Sequence, residues 1–426
     1  MKFSSHSVTS DYFCKKVVKV LLVNTYDVRG GAARATWRIF KGLQDRGINT
    51  RLMVQTKLSN DPDVVVPGGT ITQSLSFLRP YIDFIIPFFY IRKRAVFSPS
   101  LLPDHAVAKI NELDPDIIHL NWITGGFIRI ESLAEIQKPV VWTLHDMWAF
   151  TGGCHYALTC DRFKDNCGHC PQLHSSHDYD LSRKIFRRKL AVYKRIQKLT
   201  IVTPSQWLAS CVRSSRLLGN FRVEAIPNGL DTSVFVPVNK TLARQHLHLP
   251  ENIKMLLFGG IRADKNKLKG FDYLIEALSK IKSRDIELMV FGAAESKKIH
   301  SLGFKAHFWG TVNDDRLLID LYSAANVTVV PSLQEVFGQT ASEAMACGTP
   351  VAAFGITGLL DIVTHKVNGY LAKPYSTDDL AEGIDWILGD QERYKELAGN
   401  ARKSAVANFD IKKIADRMIH LYEEVR

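Results

Sequence analysis

Two doubly wound Rossmann-like α/β domains, each built on a parallel sheet, are predicted for this chain on three observations. Short β-branched runs alternate with amphipathic stretches along its length, the pattern of a parallel sheet covered on both faces. The alternation restarts after IPNGLDTSVFVPVN (226–239), where Pro227, Asn228, Gly229, Pro237 and Asn239 punctuate the chain. A length of 426 residues with 46% hydrophobic content exceeds what one core usually supports, so two domains of roughly 200 residues are expected. The boundaries are set at 1–228, 229–409 and a terminal helix at 410–426.

The first strand is expected in VVKVLLVN (17–24). It is too short for a secretory core, holds Lys19 and lacks a cleavage site. A helix over about 32–46 follows, then strands at 50–55, 115–122, 139–146 and 199–205. Second-half strands are expected at 254–260, 286–292, 305–310, 327–332 and 349–354, with helices near 271–282, 314–325, 337–347 and 378–389. The last helix places Ile411, Ile414, Met418, Leu421 and Val425 along one side, a stripe that must pack on the second domain or back on the first. The most apolar stretch, YIDFIIPFFYI (81–91), is interrupted by Asp83 and Pro87 and is shorter than the roughly 20 residues of a spanning helix. No transmembrane segment is expected.

The net charge of +12 suits an anionic partner such as phosphate, nucleic acid or lipid headgroups. From Leu181 to Val223 there is no acidic residue, and Arg183, Lys184, Arg187, Arg188, Lys189, Lys194, Arg195 and Lys198 interleave with Phe186, Leu190, Tyr193 and Ile196 or Leu199. Such a basic amphipathic helix can lie on an anionic bilayer, each exposed cation contributing on the order of 1 kcal/mol, or be an ordinary solvated face. With 81–91 and the following Arg92-Lys93-Arg94, it leads to an expectation of docking beside a lipid-linked acceptor.

Seven cysteines in a chain without an export signal indicate a reducing compartment rather than a disulfide scaffold. Cys14, Cys211 and Cys347 are scattered. Cys154, Cys160, Cys167 and Cys170 are spaced C-x5-C-x6-C-x2-C in an insertion at 150–175, with His155 and His169 interleaved. The spacing is compatible with a tetrahedral zinc, with two disulfides or with four free thiols. Any zinc held by four thiolates would be structural, since no coordination position stays open for chemistry.

The most informative segment is PSLQEVFGQTASEAMACGTPV (331–351). It reads as a strand end, a tight loop holding Glu335, and a helix that opens near Phe337–Gly338 with Glu343 about two turns in. In open α/β sheets ligands bind beyond the carboxyl ends of the strands, where helix N-termini present free N–H groups and a positive dipole end. A diphosphate fits there, and carboxylates, which only accept hydrogen bonds, read sugar hydroxyls.

This segment closely resembles the signature of glycosyltransferase family 4, retaining enzymes of the two-domain GT-B fold, in which two glutamates lie eight positions apart between "PS" and "EAMA-G-PV". The resemblance implies that Glu335 contacts the donor sugar, that Glu343 binds the ribose hydroxyls, and that backbone N–H groups around Phe337, Gly338 and Gln339 hold the phosphates. It implies a strand-end Arg and a Lys before Gly for the leaving diphosphate. These map to Arg262 and Lys269 in FGGIRADKNKLKG, with Lys265 or Lys267 as substitutes because ADKNKL adds residues between them. FWGTVND (308–314) is similar to the family's base-proximal turn.

In the first half, TYDVRGGAARATWRI carries Gly30 and Gly31 into a helix. The resemblance places this loop over the donor phosphates, where only glycine lets backbone approach so closely. PVVWTLHD ends in His145 and Asp146, similar to the family's "T-H-D", in which the histidine contacts the transferred sugar. Retaining transferases of this class are thought to react by front-side attack, the leaving phosphate oxygen taking the acceptor proton, so His145 positions and stabilises rather than acting as a certain base. His119, Asn121 and Asp146 are assigned to the acceptor cleft. The segment from Thr143 through the cysteines resembles an exopolysaccharide, colanic-acid-type subset of the family.

The chain is therefore expected to move a sugar from a GDP- or UDP-sugar to a glycan or lipid-linked oligosaccharide. The expected setting is the inner face of a bacterial plasma membrane, in exopolysaccharide or lipopolysaccharide biosynthesis, with no cofactor required for catalysis. A GT-B nucleotide-sugar epimerase is the alternative within the fold, and it would need neither an acceptor cleft nor a membrane face. A basic zinc-containing nucleic-acid-binding protein is the alternative from another class. Its common Cys2His2 spacing is missing and it leaves the second half unexplained, so no nucleic-acid partner is expected.

Overall fold

A computed structural model describes residues 18–69, 73–74, 76–91, 97–283 and 285–426. Cys14 and the Arg92-Lys93-Arg94 run lie outside the described residues. The chain forms two wholly parallel sheets. In the first, β1 (Lys19–Tyr26), β2 (Asn49–Thr56), β3 (Val64–Val65), β4 (Ile117–Leu120), β5 (Val140–Thr143), β6 (Leu199–Thr203) and β7 (Arg222–Ala225) take the order β3-β2-β1-β4-β5-β6-β7. In the second, β8 (Lys254–Gly259), β9 (Ile286–Phe291), β10 (Ala306–Phe308), β11 (Val327–Val330), β12 (Val351–Phe354) and β13 (Gly369–Ala372) take the order β10-β9-β8-β11-β12-β13. In both sheets the chain reverses its winding beside the first strand, the arrangement that opens a crevice at the carboxyl edge.

β1 shows why these runs become central strands. Val20 to Thr25 are all buried; Leu21 and Val23 join a core with Ile118, Leu120 and Trp142 on one face, while Val20 and Leu22 meet Phe40 on the other. A strand covered on both faces is apolar throughout rather than alternating. The helices that matter for the site are α1 (Gly31–Asp45), α2 (Arg79–Asp83), α3 (Ile85–Ile91), α4 (Leu181–Tyr193), α5 (Phe271–Lys280), α6 (Gln339–Ala346) and α7 (Ile411–Val425). Among the strands, β3, β7 and β13 were not anticipated from the sequence, and neither was the helix Gln391–Phe409. The three strands are sheet edges of only two to four residues; β7 has no fully buried residue.

The terminal helix α7 returns to the first domain. Ile411, Ile414, Met418, Leu421 and Tyr422 pack with Val20, Leu22 and Phe40, each such side chain stabilising by about 1.5–3 kcal/mol when fully buried. Gly42 of α1 lies beneath Ile411, where a Cβ would come within 2.8 Å of Ile411 Cγ1. The chain crosses between the sheets twice, side by side: Leu230 N–H donates to Phe409 O at 2.7 Å and Ile411 N–H to Leu230 O at 2.9 Å.

The basic helix α4 does not present its apolar side to solvent, which corrects the expectation that this side lies on a bilayer. Ile185, Phe186, Val192 and Tyr193 are buried in the first domain's core, so the sheet has already taken the surface a membrane would need. Lys189 is fully buried, its Nζ donating to the Trp148 and Thr151 carbonyls, and burial lowers its pKa to about 7. Arg183 pairs with Asp178, and Arg188 with Glu131 at 2.8 Å. Exposed apolar surface sits elsewhere: Phe77, Tyr81, Ile82, Ile85, Ile86, Phe88, Phe89 and Tyr90, on and just before α2 and α3, are all solvent-facing. Among the described residues no helix is long and apolar enough to cross a membrane.

Candidate active site

The loop between β11 and α6 brings the second domain's carboxylates to the crevice. Gly338, at φ 106°, starts α6, and a Cβ there would sit 2.8 Å from Leu359 Cδ2. Both the positive φ and the close approach exclude a side chain. Phe337 turns its ring into the core, edge-on to Phe409 at 5.4 Å, leaving only its backbone for a ligand. The first N–H groups of α6 are unpaired within the helix, as at any helix start.

Glu335 is held from both sides. Its Oε1 accepts from Lys269 Nζ at 2.6 Å and from Ser332 Oγ at 2.9 Å, and Lys269 stands immediately before α5. Of the cations assigned to the diphosphate, Lys269 is therefore brought to the Glu335 carboxylate. Arg262 and Lys267 are exposed and have no ion pair among the described residues.

Glu343, 5% exposed, accepts from Arg38 Nη2 at 2.7 Å and Tyr322 OH at 2.8 Å, with Arg34 Nη2 at 3.5 Å. Burial works to raise its pKa, but the two guanidiniums outweigh burial and hold it below the ordinary carboxylate value. Both arginines belong to α1 of the first domain, one turn apart on one face, and Arg34 also reaches Asp315 at 2.7 Å. Sequence reading missed this pair, although the i, i+4 spacing after Gly30-Gly31 was there to be seen.

The same helix start carries the glycine loop. Gly30 adopts φ 101°, and Gly31 O accepts from Gln339 Nε2 of α6 at 2.7 Å. The glycine loop and α6 thus touch directly across the crevice.

At the end of β5, His145 Nε2 lies 3.0 Å from Asn121 Oδ1, and Asn121 Nδ2 donates to His119 O. Because an amide oxygen only accepts, this orientation makes His145 Nε2 the protonated nitrogen and leaves Nδ1 as an acceptor. Burial, opposed by Asp146, lowers its pKa to about 4, so the ring is neutral near pH 7. Asp146 is already committed: Trp122 Nε1, His155 Nδ1 and Trp148 N–H donate to it at 2.6, 2.5 and 2.8 Å. It therefore orders the cleft wall rather than offering a free carboxylate.

His119 corrects the expectation made for it. It is fully buried, with Nδ1 2.6 Å from Tyr422 OH and Nε2 2.7 Å from Thr143 Oγ1, so neither nitrogen is left for an acceptor. It links β4 to the terminal helix.

The cysteine insertion reaches the loop that carries Glu335, which spacing alone did not reveal. Gln334, next to Glu335, accepts from Leu158 N–H at 2.8 Å and donates to Met147 Sδ at 3.1 Å. Burial and the negative fields of Glu335 and Asp146 raise the pKa of Tyr156. Of the three alternatives open for Cys154, Cys160, Cys167 and Cys170, the structure has four free thiols, and among the described residues no three His, Cys, Asp or Glu side chains gather around a common metal position. Burial pushes the Cys167 thiol up to about 12 and that of Cys154 higher still.

Comparison with known proteins matches these parts to one family. The model described as Glycosyltransferase Family 4 matches residues 29–234, and that described as Glycosyl transferases group 1 matches 239–404. The chain is 32% identical over 333 residues to an uncharacterized glycosyltransferase of Methanocaldococcus jannaschii, an alignment covering 72% of this chain and 82% of the relative. Its fold is similar to sucrose-phosphate synthase of Thermosynechococcus elongatus (TM-score 0.70, 22% identity, 96% and 99% of the two chains). It is also similar to HepE of Anabaena, solved in complex with UDP and glucose (TM-score 0.65, 20% identity, 96% and 100%).

Proposed function

From the premise that this chain belongs to glycosyltransferase family 4 and has the GT-B fold, we propose that it moves a sugar, with retention of anomeric configuration, from a nucleoside diphosphate sugar to a lipid-linked glycan. The observation that carries this reading is the hydrogen bond between Gln339 and Gly31. It sets a side-chain-free backbone loop over a helix N-terminus, with Lys269 and two glutamates alongside, and that combination suits a diphosphate with polar groups at each end. The UDP and glucose bound to the Anabaena protein make a UDP-sugar the first donor to test, with GDP-sugars second.

In this reading Glu335 orients the sugar, Glu343 exchanges Arg38 for the ribose hydroxyls, and Lys269, with Arg262 or Lys267, neutralises the diphosphate. The acceptor oxygen bonds to the anomeric carbon as that carbon's bond to the phosphate oxygen breaks. The acceptor proton passes to the departing phosphate oxygen, and a nucleoside diphosphate leaves. His145, neutral and with Nδ1 free, accepts a hydroxyl of the transferred sugar.

The exposed apolar surface of α2 and α3 supports placing the acceptor side against an anionic membrane, at the inner face of the plasma membrane in exopolysaccharide or lipopolysaccharide assembly. Exposed patches of this kind mark interaction sites. Incubation with a panel of UDP- and GDP-sugars, with and without lipid extract as acceptor, tests the proposal by NMR of the product's anomeric configuration. An inverted product, or no donor turned over, ends it.

A further inference from the structure

The backbone of Glu335 is bonded to the 3₁₀ turn Thr357–Asp361, which follows β12. Glu335 N–H donates to Thr357 Oγ1 at 3.0 Å, and Gly358 N–H donates to Glu335 O at 2.9 Å. A Cβ on Gly358 would stand 2.3 Å from Val336 O, so the turn and the loop approach too closely for a side chain between them. The turn is the bed on which the Glu335 loop rests.

The far end of this bed is fixed to the first domain. Asp361 Oδ2 accepts from Gln206 N–H at 3.0 Å, across 155 positions of sequence. Gln206 opens the helix Gln206–Arg213, which follows β6 and sends Leu208 and Val212 into the first domain's core. A helix start leaves its first N–H groups without partners in the helix. Ser205 Oγ accepts from Leu208 N–H at 3.2 Å, and the second domain supplies the acceptor for Gln206, so this helix is capped from both domains. Helix and turn pack against each other. Asp361 is exposed and is not among the groups assigned to donor or acceptor, so neither burial nor ligand contact accounts for where its carboxylate points.

We propose that Asp361 is a positioning residue for Glu335: by capping the opposite domain's helix it anchors the turn beneath the Glu335 loop, and so ties the place of that carboxylate to the approach of the two domains. On the other flank, Gln334 accepts from Leu158 N–H of the first domain at 2.8 Å, so the loop is held to the first domain from two directions. The inference rests on the transferase reading above, in which Glu335 orients the sugar.

The test compares wild type, Asp361→Ala and Asp361→Asn as full chains. Asparagine keeps a side-chain oxygen for the cap, and alanine removes it. Amide hydrogen exchange is followed at Gln206 and Glu335, and turnover of UDP- and GDP-sugars is measured on the same preparations. In Asp361→Ala both amides are expected to exchange about fivefold faster and kcat to fall about fivefold, the loss of one helix cap, and Asp361→Asn is expected to restore both. Faster exchange at Gln206 alone, with Glu335 and kcat as in wild type, makes Asp361 an ordinary helix cap; that overturns the proposal and leaves the transferase reading standing. An asparagine variant as impaired as the alanine one overturns it as well, because the effect would then follow charge and not the cap. Exchange that rises at both amides and is restored by asparagine, in a protein that turns over no nucleotide sugar, keeps Asp361 as the anchor of Glu335 and removes the transferase reading.

Discussion

Arg38 of the first domain and Glu343 of the second form a 2.7 Å ion pair across the crevice, both largely buried, with Tyr322 and Arg34 completing the carboxylate's shell. The carboxylate assigned to the ribose is thus satisfied from the opposite domain; in the proposed reading the ribose hydroxyls take the place of Arg38 there.

Glu343→Gln and Glu335→Gln are each expected to reduce sugar transfer by about 10- to 100-fold, the loss of one hydrogen bond to a charged group. Glu343→Gln should also lower the melting temperature, because it leaves the largely buried Arg38 facing no carboxylate. Steady-state kinetics and thermal unfolding on the same preparations check both, and wild-type rates in the two variants would remove the site assignment.

Acid is expected to weaken the fold before the carboxylates titrate. Burial lowers the pKa of His145 to about 4 and that of His119 to about 3, from an ordinary 6.5. The unfolded chain therefore binds more protons than the folded one between those values, and stability is full above about pH 6.5 and falls as pH drops toward 4, by on the order of a few kcal/mol. Urea midpoints measured from pH 7.5 to 4.5 should decline from about pH 6.5 downward; a flat profile to pH 5 contradicts the burial of these rings.

Tyr422→Phe removes a hydroxyl that hydrogen-bonds His119 at 2.6 Å inside the core. A cost of about 1–2 kcal/mol in unfolding free energy is expected, with KM for the donor unchanged because neither residue is among the groups assigned to the donor. A change below measurement error would show that α7 does not depend on this link.

Membrane association should depend on α3 rather than α4. Phe89, 77% exposed, contributes about 2 kcal/mol if it enters the interface, so Phe89→Ser should weaken sedimentation with anionic vesicles about 10-fold or more. Arg187→Glu on α4 should have the smaller effect. The reverse ranking would return the membrane face to the basic helix.

Two parallel sheets and the family of the chain were legible because each rests on local order. Strands covered on both faces read as apolar runs, and the Glu335 and Glu343 loop with its Gly338 is a contiguous stretch whose backbone demands particular residues. Tertiary structure alone decided what depends on the partner a side chain meets. His119 and Asn121 sit two residues apart on one strand end, yet His119 is spent on Tyr422, 303 positions away, and Asn121 turns to His145. Arg38 and Glu343 are 305 positions apart, and no periodicity in either helix records that they meet. The apolar side of α4 has the pattern of a membrane helix, but the same pattern serves a sheet, and burial against the first domain's core settled which. Patterning along a chain reports that a surface must be covered; only the packed chain supplies what covers it.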